Sequence, residues 1–159
     1  MGVDTLLPWT IGTNAKGNEG VALAVKQTEN AIGYVEYAQA VKARLSYALI
    51  QNSAGKFVKP EPVSFQAAAA TADWADTKDF YTMLTNSPGE AAYPIAATVF
   101  VFMRKEANWM RRPEATLNFF QWALESGAKD AAALGYVPLP TALIHQVKDY
   151  WTETFEGGT

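Results

Sequence analysis

The sequence lacks cysteine and has a single histidine, which removes much of the chemistry that side chains can perform. Without cysteine, its 159 residues can form no disulfide framework, thiolate zinc site or thiol nucleophile. Acidic residues outnumber basic ones by 16 to 13, and this balance argues against a general nucleic-acid-binding protein. The longest apolar stretch, residues 95–103, is far too short to span a bilayer.

The sequence does contain enough apolar material to fold. Apolar residues make up 49% of the chain and aromatic residues 13%, which excludes a disordered tail and suffices for one core or two small lobes. Residues 1–9 show neither the basic start nor the apolar run of a secretory signal, and Leu6 stands where a myristoylation motif has Ser or Thr. We therefore expect either a cytoplasmic protein or a chain whose first residue is not the natural start of its gene product.

Hydrophobic periodicity and turn residues predict an α/β protein. The predicted helices are 17–28, 36–43, 62–70, 113–126, 128–134 and a last helix from 141 onward. The predicted strands are 31–37, 47–50, 56–58 and 95–103, and a turn at 52–55 would join the second and third as a hairpin. The last of these is nearly all apolar, as is typical of a strand covered on both faces. We place a boundary at the loop ending at Pro94, where mixed short elements give way to one buried strand and three helices.

The loop at residues 13–18 superficially resembles a phosphate-binding loop, but it fails both specific glycine patterns. Asn18 stands where the G-x-x-x-x-G-K-[ST] pattern has Lys, and Asn14 stands at the second glycine of G-x-G-x-x-G. Backbone N–H groups at the start of the following helix could still bind an anion, or Asn14 or Asn18 could simply cap that helix. We expect at most weak, salt-sensitive occupancy, with a Kd of about 1 mM or weaker. The residues of this candidate anion site are Thr13, Asn14, Lys16, Gly17 and Asn18.

The other polar features do not form a catalytic set. His145 lies opposite the apolar face of the last predicted helix, which favours a solvated surface side chain. Basic pairs at 104–105 and 111–112 bracket Trp109, and we interpret them as a solvated turn rather than a nucleic-acid patch. With no second histidine, no cysteine and no G-x-S-x-G turn, we expect no enzyme, no metal site and no cofactor.

Several stretches, taken in order, resemble the periplasmic phosphate-binding proteins of high-affinity phosphate ABC transporters. The most specific are K-G-N-E-G-V at 16–21 and I-G-Y-V-E-Y at 32–37. The other similar stretches are 8–12, 55–58, 72–74, 84–86, 93–95, 119–123, 127–129 and 136–140. The resemblance covers essentially the whole chain, and it is to the C-terminal half of that family.

The resemblance implies a type 2 periplasmic-binding-protein-like α/β fold. The family's full chain forms two lobes that are joined by hinge strands and close on phosphate. Residues 1–93 would then be the latter part of the second lobe, and residues 94–159 would return to the first lobe. The hinge crossing would lie near Tyr93–Pro94, which agrees with the boundary placed on composition.

The resemblance also implies a function for the full-length parent. The parent would bind inorganic phosphate in the periplasm and present it to ABC transporter permease subunits. The family's phosphate ligands belong to its N-terminal half and to an R-x-x-x-S-G-T segment upstream of the W-x-x-G motif. That motif lies here at residues 9–12 and the ligand segment has no match, so no ligand residue is carried over.

An alternative of a different class stays open. The chain could be a structural or interaction module, or one half of a split or dimerising binding protein, with no ligand binding of its own. Such a half would expose sheet edges and apolar faces, and would associate with itself or with a complementing N-terminal half.

Overall fold

The computed structural model describes residues 11–74, 77–103 and 113–156. Within these ranges the regular structure consists of six α-helices, one short two-stranded sheet, a 3₁₀ turn and a final π-helical turn. The chain divides into two units, Met1–Ser46 and Tyr47–Thr159, and each is described by itself.

The first unit contains two helices that pack through small side chains. Helix α1 spans Gly17–Gln27 and helix α2 spans Tyr37–Ala43, close to the predicted bounds. The alanines Ala22 and Ala40 are buried, one on each helix. Small residues at these positions allow the two helices to approach each other closely, and they form the core of this unit.

The segment between α1 and α2 begins with a turn and contains no strand, so the strand predicted at 31–37 is wrong. It forms no ladder with any other described residue. It lies instead against α1, where an ideal Cβ added to Gly33 would come within 2.8 Å of Val25 Cγ2 and 3.0 Å of Val21 Cγ1. Gly33, in the I-G-Y-V-E-Y stretch, is therefore glycine because a side chain would collide with the helix.

The second unit begins with the predicted hairpin. Strand β1 is Ile50–Gln51 and strand β2 is Phe57–Val58, paired antiparallel with Ile50 opposite Val58. The first strand was predicted at 47–50, and this is wrong for residues 47–49, which form no strand. The turn at 52–55 is confirmed, and Gly55 adopts a φ of 74°, which glycine tolerates without steric cost.

Helix α3 spans Pro62–Thr71 and forms one wall of the core of the second unit. Proline suits its first position because its missing N–H would be unpaired there in any case. The buried apolar residues around this helix are Ala68, Ala69, Leu84, Ala92 and Tyr93. The core is therefore built mainly from small side chains, which bring the helix and the loop 84–94 into close contact.

Three further helices complete the second unit, as predicted. They are α4 at Pro113–Leu124, α5 at Ala128–Ala133 and α6 at Thr141–Trp151, with the π-helical turn at Thr152–Glu156 after them. Beyond the end of α4, Gly127 donates its N–H to the Trp122 carbonyl at 2.8 Å.

The buried strand predicted at 95–103 is wrong for the described part of the chain. These residues have no regular secondary structure, and they pair with no described strand. Val99 is 78% exposed and Phe102 is 92% exposed, so the segment is not covered on both faces. An apolar sequence favours a buried strand only when partner strands are present to pair with it, and the described residues supply none.

Candidate anion site and the junction around Asn52

The structure brings the predicted anion-site residues together at the start of α1. Thr13 and Asn14 are exposed in the preceding loop. Lys16 is the N-cap residue, with φ −85° and ψ 115°, and its side chain makes no capping hydrogen bond. Gly17 opens the helix with a φ of 67°, in the left-handed region that favours glycine.

The prediction that Asn14 or Asn18 caps α1 is wrong. Asn18 lies inside the helix, and its Oδ1 accepts the backbone N–H of Glu36 at 3.0 Å. A capping residue must precede the helix, whereas Asn18 lies two residues after the N-cap Lys16, and its side chain reaches the chain segment that leads into α2. Asn18 therefore joins α1 to the start of α2, and its oxygen is directed at a backbone donor.

The charges around the start of α1 do not favour tight anion binding. Glu19 lies in the first turn of the helix, where a carboxylate interacts favourably with the helix dipole. Its Oε1 is 3.8 Å from Lys42 Nζ, and both side chains are strongly exposed. The helix start thus already carries a negative group, and an external anion would compete with it in open water.

The remaining predicted features are His145 and the basic residues around Trp109. His145 is exposed on α6, as its position opposite the apolar face predicted. The basic pairs at 104–105 and 111–112 and the intervening Trp109 lie outside the described residues. Within the described ranges, no group of three or more histidine or acidic residues is arranged to hold a metal ion, and no helix has the length and apolarity to cross a membrane.

A junction that the sequence analysis missed is centred on Asn52. This side chain is 6% exposed, and its Nδ2 lies 2.9 to 3.2 Å from three carbonyl oxygens of the loop 89–92. Its Oδ1 accepts the backbone N–H groups of Ala54 and Lys56 at 3.1 and 3.0 Å. One amide therefore holds the hairpin turn with its oxygen and a distant loop with its nitrogen.

Neighbouring contacts reinforce this junction. Ser53 Oγ donates to the Ser87 carbonyl at 3.3 Å, and the Tyr93 N–H donates to the Ser64 carbonyl at 3.1 Å. The rings of Phe65 and Tyr93 meet edge to face, with centroids 5.4 Å apart. Burial raises the pKa of the Tyr93 hydroxyl. The segment that ends at the predicted crossing is thus fixed to both the hairpin and α3.

Two polar contacts tie α6 to the rest of the second unit. Lys148 Nζ is 2.6 Å from Glu125 Oε1, just beyond the end of α4, and the hydrogen bond from Lys148 lowers the pKa of the Glu125 carboxyl. The Tyr150 hydroxyl donates to Asp79 Oδ1 at 2.5 Å. The first contact is at the surface, where an ion pair contributes little to stability.

Comparison with known proteins identifies the chain's relatives. No family model matches it. A phosphate-binding protein PstS of Xylella fastidiosa is 47% identical over 156 residues, covering 98% of this chain and 43% of the relative. The PstS of Haemophilus influenzae is 42% identical over 146 residues, covering 90% of this chain and 43% of the relative. The PstS of Methanocaldococcus jannaschii is 31% identical over 140 residues, covering 81% and 36%.

These matches confirm the resemblance drawn from the motifs. They run through almost the whole chain, yet the chain spans less than half the length of these relatives. They support the predicted periplasmic-binding-protein class of fold at the coarse level, whereas the lobes and the hinge stay predictions. By sequence, the chain belongs to the family of phosphate-binding proteins named PstS.

Proposed function

We propose that the chain is part of the substrate-binding component of an ABC transporter for inorganic phosphate. The observation that carries this proposal is the similarity, over 98% of the chain, to a protein named for phosphate binding. The parent protein would act without catalysis, taking up phosphate in the periplasm and presenting it to permease subunits. Inorganic phosphate and the permease are accordingly the proposed partners.

Within that protein, this chain would supply scaffold and hinge rather than phosphate ligands. Residues 1–93 would belong to one lobe and residues 94–159 to the other, with the crossing at Tyr93–Pro94. Phosphate contacts from both lobes would favour the closed state. The exposed start of α1 supports a scaffold role rather than a ligand role for this chain. A dehydrated oxyanion needs several converging donors, and the described loop offers only one helix end and Lys16.

Calorimetric titration of phosphate into this chain tests the assignment. We expect no specific binding, and only weak heat that declines as salt is raised, with a Kd of about 1 mM or weaker. Lys16→Ala should remove the weak component. Lys26→Ala is the matched control, because it removes the same charge at the opposite end of α1. Micromolar saturation that ignores both salt and Lys16→Ala would show that this chain carries a complete receptor site, contrary to the proposal.

The exposed segment 95–103 favours a second function for this chain, that of a pairing module. It presents apolar residues without strand partners among the described residues, and Ile95, Val99 and Phe102 are each more than 60% exposed. An apolar segment of this kind can pair with a strand of another chain through backbone hydrogen bonds. We commit to one occupant, the portion of the family's polypeptide that this chain does not match, because more than half of the Xylella relative lies outside the match.

Mixing this chain with the unmatched part of the Xylella relative tests the pairing function. Light scattering should show a one-to-one complex, and the complex should bind phosphate saturably. Val99→Lys should abolish the complex, whereas Val63→Lys, which places the same charge on an exposed valine of α3, should leave it intact. Two monomers after mixing would contradict the pairing function, and a homodimer of this chain alone would show that the occupant is a second copy.

A further inference from the structure

We infer that Asn52 is a positioning residue that locks the segment 84–94 to the hairpin β1–β2. The locked segment, the hairpin and α3 then move as one body, and the chain can change direction only after Pro94. The assignment of that point as the hinge rests on the proposed function. The lock itself rests only on the contacts around Asn52.

The two ends of the Asn52 amide do different work. The nitrogen carries two hydrogens and faces the carbonyl oxygens of Gly89, Glu90 and Ala92, so at least one hydrogen is shared. The oxygen accepts two backbone N–H groups within the hairpin turn. An amide at this position supplies donors on one side and an acceptor on the other, and it is almost completely buried. Loss of either half would leave buried backbone groups unpaired.

Contacts on the other side of the segment prevent it from rotating about this single anchor. Leu84 is buried, and the Asn86 N–H donates to the Pro94 carbonyl at 2.9 Å, which closes the segment on itself. The hydrogen bond from Tyr93 to Ser64 ties its last part to α3. The segment is therefore held from the hairpin and from the helix at once.

The chain changes character immediately after Pro94. Tyr93 and Pro94 are buried, whereas Ile95 is 64% exposed. From there to residue 103 no described partner strand holds the backbone. The segment up to Pro94 is held rigidly, whereas the chain after it is unpaired. The point at which the chain can bend therefore lies between residues 94 and 95. Hinges of domain closure are commonly a few residues at such element ends.

Amide hydrogen exchange by NMR on the whole chain, without phosphate, tests the lock. Wild-type protein should protect the Ala92 and Tyr93 amides and leave residues 95–103 unprotected. Asn52→Asp at neutral pH keeps the acceptor and loses the donors. It should therefore reduce protection at Ala92 and Tyr93 by about tenfold or more, while Ala54 and Lys56 keep theirs. Asn52→Ala should reduce protection at both sets.

The pH dependence separates positioning from a general loss of packing. When the carboxyl of Asn52→Asp is protonated, its O–H can again donate to the loop. Protection factors at Ala92 and Tyr93 should therefore rise as pH falls through the pKa of that carboxyl, but not in Asn52→Ala. Ser53→Ala, which removes a longer and more exposed hydrogen bond next door, is the control and should change protection little.

Three results would overturn the lock. The first is that Asn52→Asp loses amide protection equally in the turn and in the loop. The second is that this loss of protection extends to α6. The third is that amide protection in the wild type continues past Pro94. If Asn52→Ala does not fold, the Asn52→Asp and wild-type measurements still decide the matter. None of these outcomes depends on phosphate binding, so failure of the lock and failure of the proposed function are distinguishable.

Discussion

The fit between the loop 87–92 and α3 predicts that a single methyl group at Gly89 destabilises the fold. An ideal Cβ at this position would lie 2.8 Å from both Cγ2 and Oγ1 of Thr71 and 3.3 Å from its Cβ. The Thr71 hydroxyl is held by its hydrogen bond to the Ala67 carbonyl at 2.8 Å, which hinders its rotation out of the way. Relief of the clash therefore requires either the loss of this hydrogen bond or a backbone shift.

The expected magnitude follows from two opposing effects. Overpacking of this kind costs roughly 1–3 kcal/mol of the free energy of unfolding. Because the φ of Gly89 is not positive, alanine restricts the unfolded chain and returns about 0.4–1 kcal/mol. Gly89→Ala should thus be destabilised by about 1.3 kcal/mol at the midpoints of the two ranges, and by roughly 2.6 kcal/mol at most. For a chain of this size that lowers Tm by about 2–4 °C per kcal/mol, which urea and thermal unfolding both resolve.

A double-mutant cycle identifies the cause of the effect. Thr71→Ala removes both atoms at 2.8 Å, so adding Gly89→Ala in that background should be neutral or stabilising by up to about 1 kcal/mol. Gly20→Ala in α1 is the matched control, since its nearest neighbour would be 3.6 Å away, and it should stabilise the fold. The reasoning is refuted if Gly89→Ala is as stable as the wild type, or equally destabilising in both backgrounds.

Two titrations provide further checks. Because burial raises the pKa of Tyr93, its contribution to stability is present below its ordinary value of 10.0 and is lost as pH rises through the higher folded value. Tyr93→Phe should therefore flatten the fall in Tm at alkaline pH, and an unchanged fall would contradict this. Lys148 lowers the pKa of Glu125, whose contribution is present above its ordinary value of 4.5 and lost as pH falls through the folded value. Lys148→Met should raise the pKa of the Glu125 carboxyl measured by NMR titration. An unchanged pKa would show that Lys148 does not interact with Glu125.

The helices could be predicted from the sequence because their signals are local. Pro62 and Pro113 begin α3 and α4 as predicted, and Thr141 begins α6 directly after Pro140. Proline fixes the backbone at a first helical turn, so its position alone locates the start. The hairpin was predictable for the same reason, since the turn at 52–55 and its glycine are contiguous in sequence.

The strands could not be predicted with equal success because a strand depends on its partner. Residues 31–37 and 95–103 have strand-like composition, yet neither pairs within the described residues. At Gly33, approach of the chain to α1 decides the conformation instead of a ladder. β-propensity reflects fit to a half-buried surface, and that surface is defined by the neighbouring strands rather than by the segment itself.

The Asn52 junction lay beyond the reach of the sequence for a related reason. The Asn-Ser-Ala-Gly turn indicates that the Asn52 oxygen will bond within the turn, and it does. The nitrogen, however, bonds to carbonyl groups 37 to 40 residues away. No local pattern reports such a partner, because the loop that supplies it is recognised only by backbone atoms that every residue carries.

The candidate anion site could be located from the local sequence, but its strength as a binding site could not. A helix start with a preceding lysine was correctly placed at Lys16 and Gly17, but the structure also places Glu19 in the first turn and directs Asn18 at Glu36. Stripping water from an oxyanion is favourable only when several donors converge and exclude solvent. One exposed helix end fails that requirement. Under the proposed function, phosphate binding would therefore draw on groups outside this loop.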